Sequence, residues 1–353
     1  MSTSPFDHPL LSGLLGDAEV APFLAAEAEI REMLRFEIAL AEAEGAEGVI
    51  PASSAEHLAG RLPAFAPDLD EIRVATTRDG TIGVEFVRQL RHWLGPPFDQ
   101  QVHFGATSQD LVDTALVLRL RPVLAIFTQR IDAIIRRLAE LDRQFGRRAV
   151  MGRTRMQDAV PITVADKLAT WQGPLGRHLD RLRDLMPRFA QLQFGGAAGT
   201  LDKLGDKANA VAARLGETLE LSVPARSWHT QRDGVVEFAD WLSLVSGTLG
   251  KIGADIGLMA QNRFGDIALE GGGGSSAMPH KQNPIGAEVL VALAHYNATL
   301  TGGMQEALVH EQERSGAAWT LEWLILPQMV MTTAASLRTA NALLGQIIRI
   351  GQD

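Results

Sequence analysis

The sequence predicts an all-α protein built from long helices. Apolar residues recur at alternating steps of three and four over several segments, which is the spacing of one helix face. Each of these segments covers about 25 to 30 residues, more than the usual globular helix. The alternating runs bounded by turn residues that strands require are nearly absent. Together these observations favour a bundle of long helices.

The first hundred residues contain one clear amphipathic helix, at residues 20–44. A stretch rich in proline and alanine follows it at residues 51–67. We place a boundary near residue 100. The expected organisation is an N-terminal helical domain over 1–100, a central domain of long helices over 101–345, and a short tail over 346–353.

Four apolar stripes follow this boundary, at residues 120–145, 168–189, 235–259 and 285–300. The third stripe is the most regular and keeps a 3.5-residue period, which packs long helices side by side. Three polar loops interrupt the helical pattern, at residues 101–114, 149–163 and 270–288. The apolar positions of the third stripe are Val235, Phe238, Leu242, Val245, Leu249, Ile252, Ile256 and Met259.

Charge and composition limit the partners of the protein. The 353 residues include 33 basic and 42 acidic side chains, for a net charge of −9. This balance disfavours nucleic acid or an anionic membrane as the main partner. An anionic substrate therefore needs a local cluster of cations or backbone dipoles.

Cysteine and histidine usage narrows the chemistry further. No cysteine is present, which excludes disulfides, thiolate zinc sites and cysteine nucleophiles. The nine histidines form no HExxH arrangement, so we expect no metal. No apolar run is long enough to cross a membrane, and no secretory signal is recognisable. The sequence accordingly predicts a cytoplasmic location.

The third loop carries the most specific chemistry. It reads GGGGSSAMPHKQNP over residues 271–284, with four glycines, two serines and Lys281. Asn283 and Pro284 are typical of the N-cap and first position of a helix. A lysine beside a helix N-terminus, under a glycine-rich lid, predicts an anion site. The alternative is a Gly/Ser linker ahead of a capped helix, and no GK[ST] follows the glycines as a P-loop requires.

This loop resembles the fumarase/aspartase superfamily. Residues 274–283 match its GSSxMPxKxN signature at every fixed position. The resemblance implies that Ser275 is the catalytic acid or base, and that Lys281 and Asn283 hold a substrate carboxylate. It also implies that Ser276 and Met278 contact the substrate. The family has a glutamate early in the next helix, and Glu288 matches it.

The first loop, HFGATSQDLVDT, resembles the segment with which the superfamily binds a carboxylate. The matching residues are Thr107 and Ser108, with His103 upstream. Taken alone, TSQD is also a plausible helix N-cap with an acidic first turn.

The second loop, GRTRMQDAVPIT, resembles another substrate-binding segment and implies contacts from Thr154 and Gln157. Here Arg155 stands where fumarases and the adenylosuccinate and argininosuccinate lyases have a histidine. Arginine does not act as a general acid or base at working pH, but it pairs bidentately with carboxylates. We expect Arg155 to hold a substrate carboxylate, and Glu288 is a second candidate partner for it.

Two more segments resemble the carboxymuconate lactonising branch of the superfamily: residues 228–233 (WHTQRD) and 313–323 (ERSGAAWTLEW). They add His229 and Arg314 as candidate contacts. A structural role for His229 is equally compatible with the sequence. Trp319 and Trp323, four residues apart, are more typical of helix packing.

The resemblance implies a homotetramer whose active sites each take loops from three subunits. It implies a cofactor-independent cycloisomerase that converts 3-carboxy-cis,cis-muconate, a tricarboxylate, to its lactone, and a 3-sulfo analogue is a further candidate substrate. The alternatives are a fumarate-releasing lyase of the adenylosuccinate or argininosuccinate type and a non-catalytic helical scaffold. Full-length members continue into a C-terminal helical domain, most of which we expect this chain to lack.

Overall fold

The predicted all-α class is confirmed. The computed structural model describes residues 4–274, 278 and 281–352. Eleven α-helices fall within these residues: α1 Ser12–Leu15, α2 Ala26–Ala46, α3 Ala52–Arg61, α4 Leu69–Asp79, α5 Ile82–Leu94, α6 Ser108–Phe145, α7 Val164–Phe189, α8 Ala208–Leu219, α9 Asp233–Met259, α10 Ile285–Glu306 and α11 Ala317–Gly345. Four short strands accompany them: β1 Ala149–Thr154, β2 Gln157–Thr163, β3 Ile267–Leu269 and β4 Ile347–Ile350. Short 3-10 turns occupy Ala21–Leu24, Leu62–Ala64, Phe98–Gln100 and Asp202–Lys207.

Five long helices, α6, α7, α9, α10 and α11, form the central bundle and run in alternating directions. Each of the four apolar stripes lies on one of them, as predicted. All eight stripe positions of α9 are buried. The helix α9 packs against α7, α10 and α11, which makes it the centre of the bundle.

The alternating directions bring the connections together in two groups. We call one the Thr107 end, with residues 101–107, 190–232 and 307–316. The other is the Lys281 end, with residues 149–163, 260–274, 278, 281–284 and 346–352. Side-chain bonds from Asp113 near the start of α6 to Arg232 and Trp319 join the first group. Pairing of β3 with β4 joins the second.

The N-terminal segment holds more helix than predicted. The helix expected over residues 20–44 begins at Ala26, after a 3-10 turn. The Pro- and Ala-rich stretch contains α3, whose Leu58 is fully buried. Asp68 and Thr81 cap α4 and α5 through their side chains. These helices are short, so their apolar pattern is too brief to stand out in sequence. The boundary near residue 100 stays a prediction.

Two loop expectations need correction. The second loop is an antiparallel hairpin of β1 and β2, because residues 149–154 and 157–163 pair along their backbones. The helix after the third loop begins at Ile285, with Pro284 and not Asn283 at the cap position. Within the described part of the chain, none of the helices has the length and apolar character needed to span a bilayer.

Candidate active site

The Lys281 end contains an open cleft. Its volume is about 680 Å³, and Met278, Lys281 and Asn283 contribute to its wall. Backbone bonds of 2.9 Å in both directions join Gly273 to Asn283. Lys281 is exposed and forms no ion pair with any described residue. The remaining lining residues are Gly257, Ala260, Gln261, Asn262, Ile267, Ala268, Leu269, Gly272, Gln282 and Pro284.

The two loop serines fall outside the described residues, so the roles predicted for Ser275 and Ser276 stay predictions. Of the described residues near them, Gly272 and Met278 line the cleft. The positions of Lys281 and Asn283 agree with an anion site beside the start of α10. The backbone N–H groups of the first helical turn add a positive dipole there.

The β1–β2 hairpin presents three predicted residues at its tip. Thr154 pairs with Gln157 across a two-residue turn. Arg155 and Met156 form the turn with φ values of 48° and 66°. Two successive non-glycine residues in the left-handed region carry backbone strain, which is often retained at binding sites. The side chains of Thr154, Arg155, Met156 and Gln157 are all exposed.

Arg153 fixes the hairpin to the rest of the Lys281 end. Its Nη1 pairs with Asp266, its Nε donates to Asp158 Oδ1 at 2.9 Å, and its guanidinium lies 4.3 Å from the centre of the Phe264 ring. Asp266 and Asp158 raise the pKa of Arg153, the hydrogen bond to Asp266 most of all. Glu288 is exposed in the first turn of α10.

The suggested partnership of Arg155 with Glu288 is not found within one chain. Neither side chain has an ion-pair partner among the described residues. Their roles toward substrate stay predictions. No three His, Asp or Glu side chains in the described ranges are arranged to hold a metal ion.

At the Thr107 end, Asp110 organises the start of α6. Its carboxylate accepts bonds from the backbone N–H of Thr107 at 3.0 Å and from those of Gly195 and Gly196 at 2.9 Å each. His229 Nε2 donates a fourth bond at 2.7 Å. A buried carboxylate with four donors is well satisfied. The capping role open for TSQD is therefore present, as a capping box between Thr107 and Asp110.

The hydrogen bond to Asp110 holds the His229 ring inside the protein. His229 is only 2% exposed, and its backbone carbonyl accepts a bond from Gln109 at 3.0 Å. The structural alternative for His229 thus has direct geometric support. A contact with substrate stays a prediction.

A fully buried arginine lies behind this edge. Arg232 Nη1 donates to Asp113 Oδ2 at 2.6 Å, and its Nε donates to Glu322 Oε1 at 2.8 Å. Burial lowers the pKa of Arg232, but the two carboxylates outweigh burial and raise it above its ordinary value. Trp319 Nε1 donates to Asp113 Oδ1 at 2.9 Å, so this tryptophan serves packing and bonding inside the protein.

Arg314 lies on the exposed side of the same network. Its Nε donates to Gln109 Oε1 at 3.1 Å, and its Nη2 to the carbonyl oxygen of Ala197 at 3.2 Å. The two segments that resemble lactonising enzymes are therefore bonded to the start of α6. Residues 228–233 reach it through His229 and Arg232, and residues 313–323 through Arg314 and Trp319.

His103, in the loop before α6, contacts a residue that the sequence did not reveal. Its Nδ1 lies 2.6 Å from Glu37 Oε1 on α2. The two residues are 66 positions apart, and nothing local in the sequence links them. The pairing of Arg232 with Asp113 and Glu322 was missed for the same reason. The only available signal was the acidic spacing of Asp110 and Asp113 along one helix face.

The predicted site residues therefore divide between the two ends. His103, Thr107, Ser108, His229 and Arg314 lie at the Thr107 end. The other candidates lie at the Lys281 end: Thr154, Arg155, Gln157, Met278, Asn283 and Glu288 together with Lys281. The helix α6 joins the ends and has 38 residues, which is about 57 Å at 1.5 Å per residue. One small molecule cannot touch both ends of one chain.

The fold and the two polar groups define an all-α enzyme of the helical lyase class. A family described as Lyase matches residues 21–296, and the chain belongs to this family. It is 41% identical to the 3-carboxy-cis,cis-muconate cycloisomerase of Pseudomonas aeruginosa, over 89% of this chain and 70% of that protein. It is 35% identical to the cycloisomerase of the same name from Acinetobacter baylyi, over 95% and 76%.

A solved structure gives the same result for the fold. The 3-carboxy-cis,cis-muconate lactonizing enzyme of Pseudomonas putida superposes with a TM-score of 0.90 and 36% identity, over 97% of this chain and 77% of that one. The resemblance to the fumarase/aspartase superfamily and its lactonising branch is thereby confirmed. The relatives extend beyond the region that this chain matches.

Proposed function

We propose that the protein is a 3-carboxy-cis,cis-muconate cycloisomerase. The observation that carries this function is identity of 35% to 41% with several such enzymes over most of the chain. The cleft of the Lys281 end agrees with it, because a lysine without an acidic partner among the described residues and a helix N-terminus suit an anionic substrate. The fumarate-releasing alternative has less support, since Arg155 stands where those lyases have histidine.

The reaction needs positioning and charge stabilisation from the protein. A carboxylate oxygen of the substrate attacks the conjugated system, so a C–O bond forms and a C=C π bond breaks. The electron pair moves onto the adjacent carbon and its carboxylate, giving an aci-carboxylate, and a proton then adds to that carbon. The substrate supplies its own nucleophile, and holding the two reacting atoms together lowers the barrier by several kcal/mol.

In our proposal, Lys281 and Asn283 stabilise the aci-carboxylate as it forms. Preorganised donors act best where charge develops, and they need no reorganisation during the reaction. Ser275 donates the proton in this direction and accepts it in reverse. Glycines at 271–274 permit the loop to close over the substrate and exclude water, which strengthens these interactions.

The other two carboxylates of the substrate need further donors. Arg155 supplies a bidentate cation. Hydroxyl and amide groups supply the remaining hydrogen bonds, and these belong to Thr107, Ser108, Thr154 and Gln157. A 3-sulfomuconate would keep the charge that these groups recognise, and we infer that it is a second substrate.

We infer that each active site is shared between copies of the chain in a homotetramer. The separation of about 57 Å along α6 supports this, because it keeps the two groups of residues apart within one chain. Long helices packed side by side, with the Thr107 end of one copy beside the Lys281 end of another, bring both groups to one substrate.

The test follows the conjugated-diene absorbance of 3-carboxy-cis,cis-muconate, with a chelator present throughout. We expect rapid loss of absorbance with the wild type. The variant Ser275→Ala should lose turnover while its oligomeric mass stays the same, and Ser53→Ala, an exposed serine on α3, is the matched control. Release of fumarate from adenylosuccinate, with no reaction of the muconate, would overturn the proposal.

A further inference from the structure

Glu37 and His103 form a buried pair next to the Thr107 end. The His103 side chain is 8% exposed and that of Glu37 is 0% exposed. Glu37 Oε1 accepts from His103, whereas Oε2 has no partner among the described residues. Burying a carboxylate with so few donors costs stability. Stability alone does not explain this buried pair, which points to a role in function.

The backbone of His103 supports the same conclusion. Its φ of 56° lies in the left-handed region, which is unfavourable for a histidine and is kept where surrounding contacts impose it. Nε2 of the ring makes no hydrogen bond to any residue that the structure describes. One ring nitrogen is thus fixed inside the protein and the other is available.

The surroundings of His103 place it with the other candidate contacts. A Cβ at Gly196 would lie 2.7 Å from the carbonyl oxygen of Gly105, so this loop packs directly on the 195–199 segment. Arg314 donates to the carbonyl oxygen of Ala197 in that segment. His103, Thr107 and Arg314 are consequently held by one packed unit.

We propose that Glu37 is a positioning residue that holds His103 Nδ1, so that Nε2 is presented to a carboxylate of the substrate. This inference rests on the proposed function, because it requires an anionic substrate at the Thr107 end. In the complex, the ring lies between two carboxylates. An imidazolium has one N–H for each of them, and both bonds are charge-assisted.

Glu44 provides a matched control. It lies on the same helix two turns after Glu37 and is equally buried. Burial and the nearby Glu37 charge raise the pKa of Glu44 to about 9. Glu44 is thus neutral at pH 7, and Glu44→Gln changes neither the charge nor the shape of that site appreciably.

The experiment is a double-mutant cycle at pH 7 with Glu37→Gln, His103→Gln and the combined variant. We expect each single change to raise KM on the order of ten- to a hundred-fold, the size expected for a hydrogen bond to a charged group, with a smaller effect on kcat. The combined variant should be no worse than His103→Gln, because both changes remove one interaction. Glu44→Gln should match the wild type.

The positioning role would be overturned if the increases in KM of the two single variants multiplied in the combined variant. Wild-type kinetics for Glu37→Gln would also overturn it. Equal damage from Glu44→Gln would show a general effect of the buried cluster. If Glu37→Gln does not fold, Glu37→Asp repeats the cycle, since it keeps the charge but is too short to reach His103. Inactivity of the wild type toward the muconate would instead refute the proposed function, and this inference with it.

Discussion

The substitution Glu44→Gln should stabilise the protein, and more so as the pH rises. Both carboxylate oxygens of Glu44 are buried without a partner among the described residues, and the side chain is fully buried. Burial, and after it the charge of Glu37, raise the pKa of Glu44 from 4.5 to about 9. The folded protein therefore keeps a proton on Glu44 that the unfolded chain releases above pH 4.5.

The sign and size follow from this difference in bound protons. Between pH 4.5 and 9 the folded state holds one more proton than the unfolded state, so each added pH unit lowers the free energy of unfolding by about 1.4 kcal/mol. Glutamine does not titrate and escapes this loss. The stability of Glu44→Gln relative to wild type should thus rise by about 2.7 kcal/mol from pH 5.5 to pH 7.5. This slope holds as long as the folded pKa stays above about 8.

Urea unfolding at pH 5.5, 6.5 and 7.5, at one protein concentration, measures this difference. Comparing two proteins at each pH cancels every group that titrates alike in both. Glu42→Gln is the control, because Glu42 is exposed on the same helix. We expect it to run parallel to the wild type. A constant difference between Glu44→Gln and wild type at all three pH values would refute the reasoning, because it would mean that Glu44 ionises alike in both states.

Two other predictions address the ion network and the shared site. Arg232→Met should lower the free energy of unfolding by about 3–5 kcal/mol, because it leaves Asp113 and Glu322 buried without their cation. Urea unfolding at pH 7 measures this loss, and a loss below about 1 kcal/mol would contradict the prediction. Lys281→Met and Ser108→Ala should each be nearly inactive alone, but mixing them under conditions that exchange subunits should restore part of the activity. Failure to recover any activity in verified mixed oligomers would argue against sites shared between chains.

The long helices could be predicted because their signal is local and repeated. Each stripe from 120 to 300 presents the same step many times, so single exceptions do not hide it. The hairpin was missed for the opposite reason. A tight hairpin turn usually shows Asn-Gly or a similar pair, whereas Arg155-Met156 adopts positive φ with ordinary residues. Only the backbone pairing of β1 with β2 reveals the hairpin.

The sequence predicted a chemistry for the polar loops, but it did not predict their bonding partners. Asp113, Arg232 and Glu322 come from three helix starts that are about a hundred residues apart in the chain. Each one, read locally, is an ordinary charged residue at a helix terminus. Glu37 likewise looks like one polar position of an amphipathic helix. Pairing over such separations depends on the packed fold, and no local pattern encodes it.

The two ends of the bundle differ in how deeply their bonds are buried, and this difference matches the division of the predicted site residues. At the Thr107 end, four bonds to Asp110 and two carboxylates on Arg232 fix the backbone behind the candidate contacts. At the Lys281 end, the conformationally permissive Gly257 and Gly272 line the cleft, and the hairpin tip is exposed. Substrate carboxylates that keep their charge throughout the reaction suit a fixed set of donors. In the proposed mechanism, the developing aci-carboxylate suits a loop that closes on it, because closure would strengthen the field of Lys281 once substrate is bound. In the proposed shared site, assembly of several chains brings the donors of the Thr107 end to the cleft of the Lys281 end.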